Sequence, residues 1–383
     1  MWRRRGAIGF IALAVGILLA CQAANNSGTS SASIPDGEVL YVVDNGNVTT
    51  YAIDPTSLAP TVTESPVELL PASSSLLQFV PSPDDHSVYA LWMDQQQREH
   101  LSTYSTDAAG VPLLPALQTL DVSSLSQWNV HPSGRFAYAM QLENGNGPFT
   151  STIFLFHIDS SGMLQDKGQV LGKYGPAILP TLLYGLNPVG SELYLGSQQQ
   201  DGPVFWERSV NKKSGLLARQ VLLLRPPLQD STVFGAKVII DYNNASNTAP
   251  PRHVTILPNT PNPREHLIQC GSAMLSACGN ATNVQIDPSG EYLFLTDSLA
   301  QQVRVAGIHL DRHELLDTGS FLPSTAQTPG FVFSPDGKVV YAVLASDLSL
   351  HIYVFDRSDG TLTESSATIP ISDSAGFVAA LHR

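Results

Sequence analysis

The stretch Pro335-Asp336-Gly337-Lys338-Val339-Val340-Tyr341 contains the repeating unit of this chain: a tight turn, then a strand with an aromatic residue six positions after the proline. Proline fixes φ and glycine tolerates a positive φ, so the first three residues favour a turn. Six copies begin at Pro35, Pro83, Pro132, Pro188, Pro288 and Pro335, at spacings of 48, 49, 56, 100 and 47 residues. The gap of 100 is two periods, which predicts a seventh, degenerate copy near residue 238, where residues 234–241 form a strand-like segment.

Each copy also carries the pattern of further strands. Apolar and polar residues alternate with a period of two, and the segments end in turn residues. Four strands in about 50 residues, repeated seven times, predict an all-β fold: a seven-bladed β-propeller of four-stranded antiparallel blades. The aromatic residues at the repeat position are expected to lie in the core; they are Tyr41, Tyr89, Tyr138, Tyr194 and Tyr341.

The two ends of the repeat region complement each other. The first copy starts at its Pro35 turn without a preceding strand, and residues 376–381 form an apolar strand with no partner of its own. We expect this C-terminal strand to supply the innermost strand of the first blade and to close the ring. Closure removes the exposed end blades that an open array would have to cap.

The N-terminal segment predicts export. Three arginines at positions 3–5 precede an apolar run over residues 6–20, which is too short to span a bilayer permanently. The run ends in Leu18-Leu19-Ala20-Cys21, which resembles the lipobox of bacterial lipoproteins, and this resemblance implies that Cys21 is lipidated and becomes the N-terminus. The alternative is an ordinary signal peptide that happens to contain a cysteine.

The domain organisation follows from these features. Residues 1–20 are a lipoprotein signal peptide, residues 21–33 are the lipidated cysteine and a flexible tether poor in apolar bulk, and residues 34–383 are the propeller. Gln22, rather than Asp, follows the cysteine. By resemblance to Gram-negative sorting, this favours the outer membrane, so we expect a location in the bacterial cell envelope.

Two further cysteines remain once Cys21 carries lipid. Cys270 and Cys278 are an even pair in an oxidising compartment, and nearby glycines would allow a short loop between them. We therefore expect a disulfide between them; two free thiols are the alternative.

The charge balance excludes some partners. Removal of residues 1–20 takes away three arginines and no acidic residue, which leaves 17 basic against 33 acidic side chains and a formal charge of −16. A nucleic-acid partner would require a basic face, so we expect none. We also expect no cofactor, no metal site and a monomer, and we expect His131, in a blade turn, to be solvated.

Two motifs resemble a known family. The Pro-Asp-Gly-Lys-x-x-Tyr pattern of residues 335–341 and the Asp-x-x-x-Gly-x-Leu pattern of residues 356–362 resemble the lactonase-type seven-bladed propellers, which include 6-phosphogluconolactonase-like and carboxymuconate-cyclising proteins. The resemblance covers residues 35–383. It implies a central channel in which Arg and His, at the starts of the innermost strands, open a lactone ring.

The positions for those catalytic residues lie seven residues ahead of each blade's proline. In five clear blades they hold Leu76-Leu77-Gln78, Leu125-Ser126-Gln127, Thr181-Leu182-Leu183, Ala281-Thr282-Asn283 and Thr328-Pro329-Gly330, without an acidic residue, Arg or His. Pro251-Arg252-His253 does match, seven residues ahead of Pro258, although its register departs from the fifty-residue period. Arg252 and His253 are therefore the candidate catalytic residues.

Two functions fit these observations. The first is a lipid-anchored extracytoplasmic propeller that binds a small molecule, a glycan or a protein on one face, as the sparse inner positions indicate. The second is a lactonase-like hydrolase acting on sugar lactones, as the resemblance and the Arg252-His253 pair indicate. We favour the first.

Overall fold

The computed structural model describes residues 38–44, 46–143, 149–177, 182–186, 190, 192–199, 202–224, 230–234, 238–242, 253–256, 266–270, 281–297, 299–309, 314–323, 330–344, 346–347, 349–371 and 375–382. Every regular element among these residues is a β-strand, which confirms the all-β class. Within the same residues there is no helix long and apolar enough to cross a membrane. The predicted signal peptide, Cys21 and the tether lie outside the described residues.

In chain order, the described strands are β1 (Glu38–Asp44), β2 (Asn47–Ile53), β3 (Pro60–Val62), β4 (Val67–Glu68), β5 (Ser75–Pro81), β6 (Ser87–Met93), β7 (Glu99–Ser105), β8 (Gln118–Val122), β9 (Leu125–Val130), β10 (Phe136–Glu143), β11 (Phe149–Ile158), β12 (Leu164–Ala177), β13 (Leu182–Leu186), β14 (Glu192–Gln199), β15 (Gly202–Val210), β16 (Leu217–Leu224), β17 (Asp230–Phe234), β18 (Val238–Tyr242), β19 (His253–Ile256), β20 (His266–Cys270), β21 (Ala281–Ile286), β22 (Tyr292–Asp297), β23 (Gln302–His309), β24 (Glu314–Pro323), β25 (Phe331–Phe333), β26 (Val339–Val343), β27 (Ser349–Asp356), β28 (Thr361–Pro370) and β29 (Ala375–His382).

These strands form antiparallel meanders of four. β5–β8, β9–β12, β13–β16 and β25–β28 are each a four-stranded sheet. β17–β20 and β21–β24 are meanders of the same kind, joined into one eight-stranded sheet by a short parallel pair between β20 and β24. The remaining sheet has the order β29-β1-β2-β3, and β4 also pairs with β2.

The first and the last described strands meet in that last sheet. β29 pairs antiparallel with β1 along its whole length, with Val39 opposite Leu381 and Val43 opposite Phe377. The C-terminal strand thus joins the first sheet, as predicted. The segment 234–241 differs from its prediction as one strand, because Phe234 ends β17 and pairs with Val238 at the start of β18.

The repeated tyrosines tie consecutive sheets together. Tyr41, Tyr89, Tyr138 and Tyr341 are all buried, as predicted; the side chain of Tyr194 lies outside the described residues. Three of the hydroxyls donate to a glycine carbonyl of the next sheet: Tyr41 to Gly110 at 2.8 Å, Tyr89 to Gly162 at 3.3 Å and Tyr138 to Gly215 at 2.6 Å. A buried carbonyl needs such a partner, so each of these three tyrosines helps to fix how its sheet packs against the next one.

The proline-containing turns pack against one another, and this overturns one expectation. His131 was expected to be solvated, but it is only 3% exposed. Its Nε2 donates to the Gly190 carbonyl at 2.8 Å, and its Nδ1 accepts from the Ser133 amide at 3.0 Å. The ring fills space beside Gly190, where a Cβ would lie 2.2 Å from Nε2. Burial lowers the pKa of His131, so the ring is neutral.

Each sheet has two distinct ends. The turn between first and second strands lies beside the turn between third and fourth strands, because the Thr106 amide donates to the His86 carbonyl at 3.0 Å and the Thr106 hydroxyl donates to the Asp85 carbonyl at 2.9 Å. We call this the proline-turn end. The turn between second and third strands lies at the opposite end.

Candidate functional site

Of the site residues predicted from the sequence, the structure describes the backbone of His253 and of Cys270. Cys21, Arg252 and Cys278 lie outside the described residues. His253 begins β19, the third strand of its meander, where its backbone pairs with Asp241 and Gln269. Cys270 ends β20 opposite Leu315. The catalytic pair and the disulfide stay predictions.

First strands approach one another between several neighbouring sheets: β5 lies near β9, β9 near β13, β17 near β21, and β29 near both β5 and β25. In the family pattern the catalytic histidine would stand at Gln78 of β5. The Gln78 amide instead donates to the Trp128 carbonyl of β9 at 2.8 Å, and its oxygen accepts from the Trp128 amide at 3.1 Å. Both of its functional atoms are thereby used to join two sheets.

At the opposite end of the β5–β8 sheet, a histidine is enclosed by carboxylates. His100 of β7 contacts Asp121 of β8 through Nδ1 at 2.8 Å and Asp94 of the β6–β7 turn through Nε2 at 3.2 Å. Its ring stacks on Trp92, with 4.3 Å between centroids. Asp94 also accepts from the Arg98 side chain at 2.7 Å.

A second cluster repeats this arrangement in the β25–β28 sheet. His351 of β27 contacts Glu364 of β28 through Nδ1 at 2.6 Å and Asp347 of the preceding turn through Nε2 at 2.9 Å. Burial acts to lower the pKa of His351, but its hydrogen bonds to both carboxylates outweigh burial and raise the pKa. A raised pKa favours the imidazolium form of His351, in which both ring nitrogens donate.

A third cluster uses arginine in the β21–β24 meander. Arg304 of β23 lies 3.1 Å from Asp317 of β24 and 3.8 Å from the buried Asp297 that ends β22. In all three sheets an acid at or near the turn between the second and third strands, a cation on the third strand and an acid on the fourth form one group. We call these groups carboxylate clamps.

The carboxylate clamps are suited to structure rather than to proton transfer. A general base needs a free nitrogen within reach of a substrate proton, whereas both nitrogens of His100 and of His351 already contact carboxylates. Nor do the described residues contain a group of three or more His, Cys, Asp and Glu that could hold a metal ion. The sequence analysis did not predict the clamps; the available signal was an acid near the turn after the second strand, with His or Arg four to seven residues later.

Comparisons with known proteins bear on the fold alone. No family model and no curated protein matches the chain. A crystal structure of a putative 6-phosphogluconolactonase from Bacteroides fragilis covers 92% of this chain and 100% of its own at 15% identity, with a TM-score of 0.62. The fold is that of the lactonase-type β-propellers.

Two further solved structures agree. A putative 6-phosphogluconolactonase from Bacteroides uniformis matches 90% of this chain and all of its own length at 15% identity and a TM-score of 0.62. A periplasmic gluconolactonase from Pseudomonas aeruginosa covers 90% of this chain and 99% of its own at 12% identity and a TM-score of 0.60. At these identities the likeness shows the architecture alone.

Proposed function

We propose that the chain is a monomeric, extracytoplasmic β-propeller, anchored in the cell envelope through lipid on Cys21, that binds a small molecule, a glycan or a protein on one face. The observation that carries the proposal is the engagement of Gln78. At the position where the family pattern has its histidine, this amide holds the backbone of the neighbouring sheet on both its donor and its acceptor side. A binding scaffold needs such rigidity, and a lactone-opening site needs a free base and oxyanion donors there.

The finer architecture belongs to this proposal. The seven meanders, counting the β29-β1-β2-β3 sheet as one and the eight-stranded sheet as two, would be the seven blades of a closed ring. Pairing of β29 with β1 supports closure, as does a core cluster in which Leu40 of β1 packs with Tyr341 of β26. Deleting residues 376–383 from the full chain should abolish folding, and a soluble truncation that melts cooperatively would rule out the closed ring.

Hydrolysis of sugar lactones is the second candidate, and it has one specific observation in its favour. The solved structures that match over nearly the whole chain include a periplasmic gluconolactonase, whose compartment agrees with the predicted export of this chain. His253 and Arg252 would be its catalytic residues. A phosphorylated lactone is a poor substrate candidate, because a chain of charge −16 repels it.

One assay separates the two functions. The full chain is incubated with glucono-δ-lactone and a panel of other sugar lactones, and acid release above the spontaneous rate is followed beside Arg252→Ala/His253→Ala. We expect no acceleration, together with a saturable thermal shift by a member of a glycan and peptide panel. Acceleration that the double substitution removes would establish the lactonase instead. Mass spectrometry of the N-terminal peptide tests lipidation of Cys21 independently.

A further inference from the structure

Three consecutive sheets expose apolar side chains at the proline-turn end. Leu114 between β7 and β8 is 56% exposed, Met163 between β11 and β12 is 38% exposed, and Leu216 between β15 and β16 is 54% exposed. All three lie in turns between a third and a fourth strand. Exposed apolar residues at equivalent places of adjoining sheets indicate a contact surface more than scattered single ones do.

The turn that carries Leu216 also differs in charge from its equivalents. Asp107 and Asp159 cap the turns of the β5–β8 and β9–β12 sheets by accepting from the amides two and four residues later. In the β13–β16 sheet the cap is the neutral Asn211, which accepts from the Lys213 amide at 3.0 Å. This turn therefore has one negative charge fewer than its equivalents, and it presents two exposed cations, Lys212 and Lys213.

A third cation is held beside this turn. The guanidinium of the exposed Arg135, from the neighbouring sheet, donates to the Lys212 carbonyl at 2.7 Å. Arg135, Lys212, Lys213 and Leu216 thus form a basic and apolar cluster, which we call the β15–β16 turn cluster. It is a local exception in a chain of net charge −16 after processing.

The chain enters the fold at the same end of the sheets. Glu38 begins β1 and pairs with Ile53, next to the turn that follows β2. Cys21 is 17 residues earlier, a separation that spans at most about 60 Å and averages about 23 Å for a flexible chain. A domain of this size has a radius of gyration of about 20 Å, so an anchor at Cys21 keeps this end, rather than the opposite one, near the lipid.

We propose that the β15–β16 turn cluster rests on the anionic surface of the bilayer that holds the N-terminal lipid. Leu216 enters the interface, while Lys212, Lys213 and Arg135 face lipid phosphates, because basic residues near an anionic leaflet and buried apolar side chains both favour such contact. Asp159 makes the neighbouring β11–β12 turn acidic and so less suited to an anionic surface, which places the contact on the β13–β16 sheet. The proposal rests on lipidation of Cys21 and turns the opposite end of the propeller toward its ligand.

The test uses the lipidated full chain in liposomes that contain phosphatidylglycerol with brominated acyl chains. Leu216→Trp places a reporter in the cluster, and Leu299→Trp is the matched control, because Leu299 is 74% exposed in the β22–β23 turn at the opposite end. We expect bromine to quench the Leu216→Trp signal at least twofold more than the control. Lys212→Glu/Lys213→Glu should remove that difference.

The outcomes separate this inference from the anchor itself. If the protein fails to float with liposomes and its N-terminal peptide carries no lipid, the anchor is refuted and the membrane contact with it. If the protein floats but both reporters are quenched equally, only the orientation is wrong. A reporter at Leu216 that is shielded in proportion to protein concentration, with dimers in light scattering, would assign the cluster to a second copy and overturn the proposal.

Discussion

The tyrosine hydroxyls that join consecutive sheets lead to a graded prediction. Tyr138→Phe removes the hydroxyl that donates to the Gly215 carbonyl at 2.6 Å and leaves that carbonyl buried without its partner. The matched control is Tyr353→Phe, since the Tyr353 hydroxyl is buried without a hydrogen-bond partner among the described residues. Both substitutions remove one oxygen from a buried ring and change little else.

The expected magnitudes follow from hydrogen-bond energetics. An orphaned buried carbonyl costs about 1–3 kcal/mol, whereas removal of an already unpaired hydroxyl is close to neutral or stabilising. Tyr138→Phe should therefore lower the free energy of unfolding by about 1–3 kcal/mol relative to Tyr353→Phe. Tyr89→Phe should fall between them, because its bond to Gly162 is longer at 3.3 Å.

Urea unfolding of the three variants and the parent, followed by tryptophan fluorescence at one pH, gives this ranking directly. Equal slopes across the variants are required for the midpoints to report stability. A Tyr353→Phe variant that is destabilised as much as Tyr138→Phe would refute the reasoning. It would mean that the tyrosines stabilise the fold through ring packing and not through the hydrogen bond to the next sheet.

Three further substitutions test other contacts. His351→Gln should lower the melting temperature at pH 5 and change it little at pH 9. A histidine with a raised pKa stabilises the fold below its unfolded pKa, and this stabilisation is lost as the pH rises through the folded pKa. Equal losses at both pH values would contradict the charge assignment. Burial raises the pKa of Glu38 to about 8. The buried carboxyl therefore costs no stability while it is protonated, below the unfolded pKa, and destabilises the fold increasingly as the pH rises to the folded pKa and above. Glu38→Gln should match the parent at pH 4 and melt at a higher temperature at pH 9. Gly190→Ala should destabilise by more than the roughly 1–2 kcal/mol of a left-handed residue, since its Cβ would meet His131, whereas Gly168→Ala, with φ +81° and open space, should cost only that amount; similar losses in chemical denaturation would argue against the contact.

The sequence was sufficient for those parts of the fold that local chemistry determines. Proline turns and recurring tyrosines predict four-stranded antiparallel units, and the unpartnered strand at the C-terminus predicts the pairing with β1. His131 was misjudged because its burial depends on Gly190, 59 residues away, whose missing Cβ leaves space for the ring. The position of a residue in a turn does not show which neighbouring turn packs against it.

The carboxylate clamps escaped sequence reasoning for a related reason. Asp94 and His100 are close in the chain, but Asp121 reaches His100 only because β8 pairs with β7 in the register that sets these two residues opposite each other. A pattern search therefore finds two of the three partners and has no reason to join the third. The same acid–cation–acid order in three sheets becomes visible only once strand register is known.

The carboxylate clamps and Gln78 together bear on how the molecule works. A clamp holds three strands of one sheet together at the opposite end, and Gln78 joins two first strands across a sheet boundary. These polar groups thus join strands both within a sheet and between sheets. A scaffold fixed in this way changes shape little on binding and loses little entropy when it does so. That is the behaviour the proposed binding function requires.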